Sequence, residues 1–283
     1  MSDLISLDLC FVDDKINLAT QKMLIKDLNF YHSAIFDVSK DVARIDAPVV
    51  RGTKHIVFIA TGVDSVKTVF RFCDKDIAIR NHDISRILVN RGIAVPHVQL
   101  HSYHGQFFET YPYISGITLA ESIRFGMPKS QTPEIFYAIA ANIKKMSDIP
   151  IEAFNDVPNK NCSDVAMSNI LKKKESWLLG QGVKYGTVAL NAGRHSVCHC
   201  DLGPNNIIMD ARDGVSAILD LDAVSIANVN FSIATAGVAL ERHGLDFNKF
   251  YRICHDVMPR LVSKSRIELS HKICKMYFRA YTK

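Results

Sequence analysis

Short runs of β-branched and aromatic residues fill the first third of the chain, and longer repeats of helical period fill most of the rest. Ile56-Val57-Phe58-Ile59-Ala60 and Lys67-Thr68-Val69-Phe70-Arg71-Phe72 predict strands, because such side chains pack well on a pleated surface. Between them, Thr61-Gly62-Val63-Asp64-Ser65 offers turn residues for a hairpin. Ile84, Ile87, Leu88 and Arg91 then recur at helical spacing; Asn81 or Asp83 is expected to cap that helix, and Gly92 with Pro96 to end it. Val98 to Leu100 and Gln106 to Thr110 read as two more strands.

Beyond Tyr111-Pro112-Tyr113-Ile114-Ser115-Gly116 the period lengthens. Pro133 to Met146, Ser163 to Leu179, 231–244 and 246–281 are predicted helices. One exception interrupts them: Ile207-Ile208-Met209 and Val215 to Leu219 flank Asp210-Ala211-Arg212-Asp213-Gly214, which predicts a β-hairpin. No repeat of fixed period and no low-complexity tract occurs. The expected class is α+β, with a sheet-based lobe over 1–112, a junction near 111–116 and a mainly helical lobe over 113–283.

Composition narrows the function classes. With 283 residues, 48% hydrophobic and 22% charged, the chain is neither a disordered segment nor a disulfide miniprotein. A net charge of +5 is small and dispersed, and Lys172-Lys173-Lys174 reads as a solvated helix face, so no nucleic-acid partner is expected. Seven cysteines, an odd number and mostly in apolar stretches, suit reduced thiols and a cytoplasmic location. Asp3, Asp8, Asp13 and Asp14 interrupt the first residues, and no apolar run approaches about 18 residues, so neither a signal segment nor a membrane partner is expected.

Candidate chemistry concentrates after His199. If the hairpin turns near 212 or 213, Met209 lies opposite Ser216, and Asn206 lies opposite Leu219 or Asp220 at the open end. An amide oxygen and a carboxylate then face one point, a donor set that suits Mg²⁺, which takes one or two carboxylates together with waters and substrate phosphates. Asp201 precedes Asn206 by five residues in a loop stiffened by Pro204, where it can accept a proton from a hydroxyl or orient it.

The order His-x-Asp-x4-Asn, then a hairpin, then Asp is that of a kinase catalytic loop. His199-Cys200-Asp201-Leu202-Gly203-Pro204-Asn205-Asn206 with Ile218-Leu219-Asp220-Leu221-Asp222-Ala223 resembles the aminoglycoside phosphotransferase and choline kinase-like superfamily. The resemblance implies a two-lobed protein-kinase-like fold, with nucleotide held by 1–112 and the catalytic loop, metal site and acceptor pocket in 113–283. It implies Asp201 as catalytic base, Asn206 and Asp220 as Mg²⁺ ligands, and Asp222 as an auxiliary acid; His199 is read as a brace for the loop. Upstream, Arg51 to Phe58 with Gly52 resembles the loop over the nucleotide phosphates, Val69 to Phe72 with Arg71 the strand that anchors them, and Tyr111 to Gly116 the hinge. Gly52, Arg71, Tyr111 and Tyr113 are thereby assigned to ATP or GTP. The implied acceptor is a small hydroxyl-bearing molecule: an aminoglycoside first, otherwise a sugar, amino alcohol or amino acid. A nucleotide-binding pseudokinase serving as an interaction module is the reading from a different class.

Three positions depart from the family pattern. Asn81-His82-Asp83 offers no Glu to pair with Arg71, so His82 or Asp83 must substitute or the ion pair is absent. Cys200 stands at a usual Gly, and Ala227 to Ser232 lacks the Asp that braces the loop. Competing motifs carry less. Cys198-His199-Cys200 would point side chains to opposite sides of an extended chain, unlike a zinc site. His97 and His101 lack the Glu of a metalloprotease, and Asp220-Leu221-Asp222 stands alone as a glycosyltransferase signal. No Ala-Pro-Glu segment follows Asp220, which argues against a protein kinase. An aminoglycoside acceptor would further require several of Asp164, Glu175, Glu241, Asp246, Asp256 and Glu268 to converge near Asp201.

Overall fold

Tyr31, Ala34 and Ile35 share one face of a helix that sequence reading missed, and that face covers an antiparallel sheet. This computed structural model describes residues 28–46, 55–158, 195–210 and 214–281. Gly52, Asp164, Glu175, the Lys172 to Lys174 run and the helix expected over 163–179 lie outside them. The described elements fall into two units: one takes residues up to His82 with His97–Tyr113, the other Asp83–Pro96 with Ile114 onward.

In the first unit, α1 (Leu28–Val38) leads into strands β1 (Val42–Asp46), β2 (Ile56–Gly62) and β3 (Lys67–Phe72). After helix α2 (Lys75–Asn90) come β4 (Gln99–Tyr103) and β5 (Gln106–Pro112). The five strands run in the order β1-β2-β3-β5-β4, all antiparallel. Alternation places Phe58, Phe70, Phe72 and Phe108 on one face, where they pack with Tyr31; the Phe72 and Phe108 rings stack with centroids 4.9 Å apart.

Helix α2 starts earlier than its hydrophobic spacing suggested, so Asn81 and Asp83 lie inside it and cap nothing. Its buried residues include Ala78, Arg80, Asn81, Ile84, Ser85 and Leu88, and the polar ones near its start, Arg80 and Asn81, hid its first turns. Ser85 and Asn81 each donate internally: Ser85 Oγ to the Pro96 carbonyl at 2.7 Å, and Asn81 Nδ2 to Glu109 Oε1 in the sheet at 2.8 Å.

The second unit begins with β6 (Ile117–Thr118) and α3 (Leu119–Arg124), started by a capping box in which Thr118 and Glu121 each bond the other's backbone N–H. Gly116 precedes them at φ 143°, and a Cβ there would overlap the Met209 carbonyl, so only glycine lets β6 reach its partner. Helix α4 (Thr132–Ser147) buries Ile135, Phe136, Ile139 and Ile143. Strand β7 (His195–His199) leads through a loop to β8 (Ile207–Met209), β9 (Val215–Ile218) and β10 (Val224–Asn228). The expected 231–244 helix is α5 (Val229–Arg242). The helix expected over 246–281 is two: α6 (Phe247–Val257) and α7 (Lys264–Tyr281). The break falls at Met258-Pro259, where proline removes a helical N–H.

Helix α5 packs against both α6 and α7, and Gly237 is what lets the Phe247 ring settle on it, since a Cβ at 237 would overlap that ring. Gly237→Ala is expected to lower stability by about 1–3 kcal/mol through overpacking, despite alanine's better helix propensity; urea denaturation measures it.

Candidate active site

Period-two alternation sorts the second face of the sheet. Val69 and Arg71 of β3 lie opposite Tyr111 and Glu109 of β5, so all four share the face turned away from the phenylalanine core. Arg71 and Glu109 are both buried, and Arg71 Nη1 donates to both carboxylate oxygens at 3.0 Å. Asn81 Nδ2 reaches Glu109 Oε1 at 2.8 Å from α2, and Cys73 Sγ lies 3.4 Å from the same oxygen. Burial pushes the Glu109 carboxyl up, opposed by the Arg71 charge and by these hydrogen bonds.

Arg71 thus has a carboxylate partner, Glu109, that the sequence did not propose. His82 Nδ1 sits 3.0 Å from the Val98 carbonyl, and Asp83 pairs with Arg86 at 3.8 Å. Helix α2 contributes an amide instead of a charge. Glu109 gave no local signal, because a single Glu in an apolar strand reads as an outward-facing residue until the β3–β5 register is known. Tyr111 is half-buried on the Arg71 face. Tyr113 is 38% exposed; its N–H donates to the Lys67 carbonyl at 2.9 Å, and the Lys67 ammonium stands 5.4 Å from its ring centroid.

In the second unit, β7 pairs with β10 from His199 opposite Val224 to His195 opposite Asn228. Out of that ribbon comes the 200–206 loop, held by Cys200 N–H to the Ala223 carbonyl at 2.9 Å and closed by a 3₁₀ turn over Pro204–Asn206. Asn206 Nδ2 donates to the Asp201 carbonyl at 2.8 Å and lies 3.4 Å from Asp201 Oδ2. The hairpin register runs Ile207 opposite Ile218 and Ile208 opposite Ala217, which puts Asn206 beside Leu219; the Leu219 N–H donates to the Asn206 carbonyl at 2.8 Å. At Met209 an irregularity shifts the partner to Val215 from the expected Ser216.

Asp220 follows Leu219 in the left-handed region, at φ 62° and ψ 63°. A non-glycine residue there is strained, although Asp tolerates it better than most, and such strain gathers at functional sites. The next residues, Leu221–Ala223, form a 3₁₀ turn carrying half-buried Asp222. Asp201 and Asp220 are both exposed.

His199 ties these pieces together. Its Nε2 lies 2.8 Å from the Leu219 carbonyl, which can only accept, so Nε2 carries the proton and Nδ1 accepts the Asp201 N–H at 3.3 Å. Burial holds the imidazole below its usual pKa against the raising effects of the Leu219 bond, Asp220 and Asp201, as this neutral tautomer requires. Cys198 points elsewhere: its Sγ lies 3.5 Å from the Ala227 carbonyl. The brace missing from 227–232 has a substitute, since Ser232 Oγ of α5 donates to the His199 carbonyl at 2.9 Å. Cys200 Sγ, where glycine was usual, lies 3.3 Å from Ser225 Oγ.

Among the described residues, no three His, Cys, Asp or Glu side chains cluster to hold a metal by themselves, and no helix is long and apolar enough to cross a membrane. Glu241, Asp246, Glu268, His271, Lys272 and Lys275 line a cavity of about 400 Å³ between the end of α5, the start of α6 and α7. Asp256 is not part of it. Two of these carboxylates are already engaged: Glu241 pairs with Lys275 at 2.6 Å and His271 at 3.1 Å, and Asp246 caps α6 by accepting the Asn248 and Lys249 N–H groups. Ser232 and Ala239 meet the 199–203 loop from one side of α5, two turns apart. Glu241 follows Ala239 by two residues, about 200° round the helix, and faces α7 instead.

No protein-family model and no curated protein matches the sequence. Solved structures do match. An aminoglycoside 2′-phosphotransferase in its GDP complex superposes with a TM-score of 0.62 at 13% identity, covering 89% of this chain and 99% of that one. A macrolide 2′-phosphotransferase type I gives 0.64 at 16% identity over 91% and 90% of the two chains. A choline/ethanolamine kinase family protein from Mesorhizobium loti gives 0.64 at 14% identity over 92% and 85%. With a five-stranded antiparallel sheet followed by a mainly helical region, the chain has the kinase fold shared by aminoglycoside and macrolide phosphotransferases and choline kinase-like proteins.

Proposed function

We propose that this chain is an ATP- or GTP-dependent small-molecule kinase that transfers the γ-phosphoryl group to a hydroxyl. The observation that carries the reading is the hydrogen-bonded unit of Asp201, Asn206, His199 and the Leu219 peptide, with Asp220 held in a strained conformation beside it. Asp201 is the exposed carboxylate of that unit and the one to orient an acceptor hydroxyl and take its proton. His199, neutral and buried, holds the loop. Asp222 is the auxiliary acid. Gly52, Arg71, Tyr111 and Tyr113 are assigned to the nucleotide, with Arg71 supplying the cation for its phosphates. Solved neighbours support this: one aminoglycoside phosphotransferase was solved with GDP and another with ADP and streptomycin.

Magnesium fits the donor set. Asn206 spends its amide N–H on the Asp201 carbonyl, which leaves its oxygen as the ligand atom, and Asp220 adds a carboxylate. That is sufficient for an ion shared with nucleotide phosphates, whose charge it would neutralise. Asp220→Asn is therefore expected to raise the Mg²⁺ concentration needed for nucleotide binding; an unchanged Mg²⁺ titration would make Asp220 a turn residue only.

Aminoglycosides are the first acceptors to test, since one neighbour carries kanamycin. A second reading has an observation of its own. Glu241 and Asp246 already have internal partners and Glu241 faces away from the 199–203 loop, so these carboxylates are not offered to a polycation near Asp201. That favours a neutral or zwitterionic acceptor such as a sugar, amino alcohol or amino acid. Against the pseudokinase reading stand two contacts at the departures that suggested it: Glu109 on Arg71, and Ser232 on the His199 carbonyl. A coupled assay of Mg·ATP and Mg·GTP turnover over aminoglycosides, choline, homoserine and sugars tests all three. Turnover with at least one acceptor is expected, and nucleotide binding without turnover on any would support the pseudokinase.

A further inference from the structure

We infer that Glu109 is a positioning residue for nucleotide phosphate binding, and that it makes the placement of Arg71 a property of the sheet, not of helix α2. The inference rests on Arg71 being the phosphate-binding cation. In protein kinases the corresponding cation pairs with a Glu on a mobile helix, so moving that helix makes and breaks the pair. Here both charges sit on neighbouring antiparallel strands, directly in register.

The physical difference is in what fixes the distance. Arg71 and Glu109 lie inside a ladder that runs from Thr68 opposite Pro112 to Phe72 opposite Phe108, one pair in from the Phe72 end. Separating them would require breaking backbone hydrogen bonds and the Phe70, Phe72 and Phe108 packing on the opposite face. Helix α2 reaches the pair through the Asn81 amide, on the same Oε1 that Arg71 engages. A shift of α2 would remove that hydrogen bond while the strand register still holds Arg71 opposite Glu109. Glu109 touches no substrate in this account; it acts through Arg71, whose guanidinium it holds in one orientation with both carboxylate oxygens.

Calorimetric titration of the full chain with Mg·ADP, and with adenosine as a ligand lacking phosphate, tests this. Glu109→Gln keeps the shape but not the charge. It is expected to weaken Mg·ADP about tenfold, the equivalent of one charge-assisted hydrogen bond, and to leave adenosine unchanged. Arg71→Met should weaken Mg·ADP similarly, and the double variant should be no worse than either single one, because both act through the same contact. Asn81→Ala should lose no more than about threefold.

Unchanged or tighter Mg·ADP binding in Glu109→Gln, additivity with Arg71→Met, or an equal loss in Asn81→Ala would each overturn the inference. If Arg71→Met binds Mg·ADP normally, the failure is instead that of Arg71 as the phosphate cation. Should Glu109→Gln not fold, Glu109→Asp, which withdraws the carboxylate by one methylene, is read by the same criteria.

Discussion

Asp201→Ala is expected to lower phosphoryl transfer at least about a hundredfold while leaving the protein folded and Mg·ADP affinity within a few fold. The two halves of that result have separate causes. A positioned base contributes to the transition state and little to nucleotide binding, so its loss falls on turnover. The fold should survive because the Asp201 side chain is exposed, and what closes the loop is backbone: Asn206 Nδ2 bonds the Asp201 carbonyl, and His199 Nδ1 accepts the Asp201 N–H. Alanine keeps both groups. Single-turnover kinetics on the variant, with calorimetry of nucleotide binding beside it, make the measurement. Near-normal turnover would remove Asp201 from the mechanism.

Glu109→Ala should be the most destabilising single change in the sheet unit, by about 3–5 kcal/mol in urea denaturation. Arg71 is 8% exposed, and without Glu109 it loses both 3.0 Å contacts to a carboxylate in a site that water barely reaches. Asn81 and Cys73 would lose the same acceptor. Replacing the pair together, as Arg71→Met with Glu109→Leu, should cost much less, because no uncompensated charge remains. A double-mutant cycle separates the two terms. If Glu109→Ala proves no more costly than the paired replacement, burial at this position does not depend on the ion pair.

Much of the fold was legible because several sheet strands are short β-branched and aromatic runs separated by turn residues. The β2–β3 hairpin, with Thr61 paired to Lys67 and Ser65 at φ 67°, lies where Thr61 to Ser65 predicted it. The hairpin after Asn206 was also set locally, to within the one irregular pair at Met209. Elements whose buried faces carry polar groups were read less well. Buried Arg80 and Asn81 concealed the first turns of α2, and β10 was missed because polar Ser225 and Asn228 interrupt its apolar residues yet lie buried in the ribbon with β7.

The candidate site divides the same way. Asp201, Asn206 and Asp220 were identifiable from spacing along one short segment, because a hairpin converts sequence separation into proximity with few alternatives. The identity of the groups supporting them was not. Glu109 reaches Arg71 across 38 residues, and Ser232 reaches the His199 carbonyl across 33; both depend on which strand or helix is laid beside which. Sequence alone determined the β2–β3 hairpin, the sheet-then-helix order of the chain and the hairpin that follows the 199–206 segment, since local pattern and short-range geometry suffice for these. Only the tertiary structure decided what carboxylate holds Arg71, what braces the loop, and that Glu241 turns away from it, because those depend on register and helix phase, which no local signal encodes.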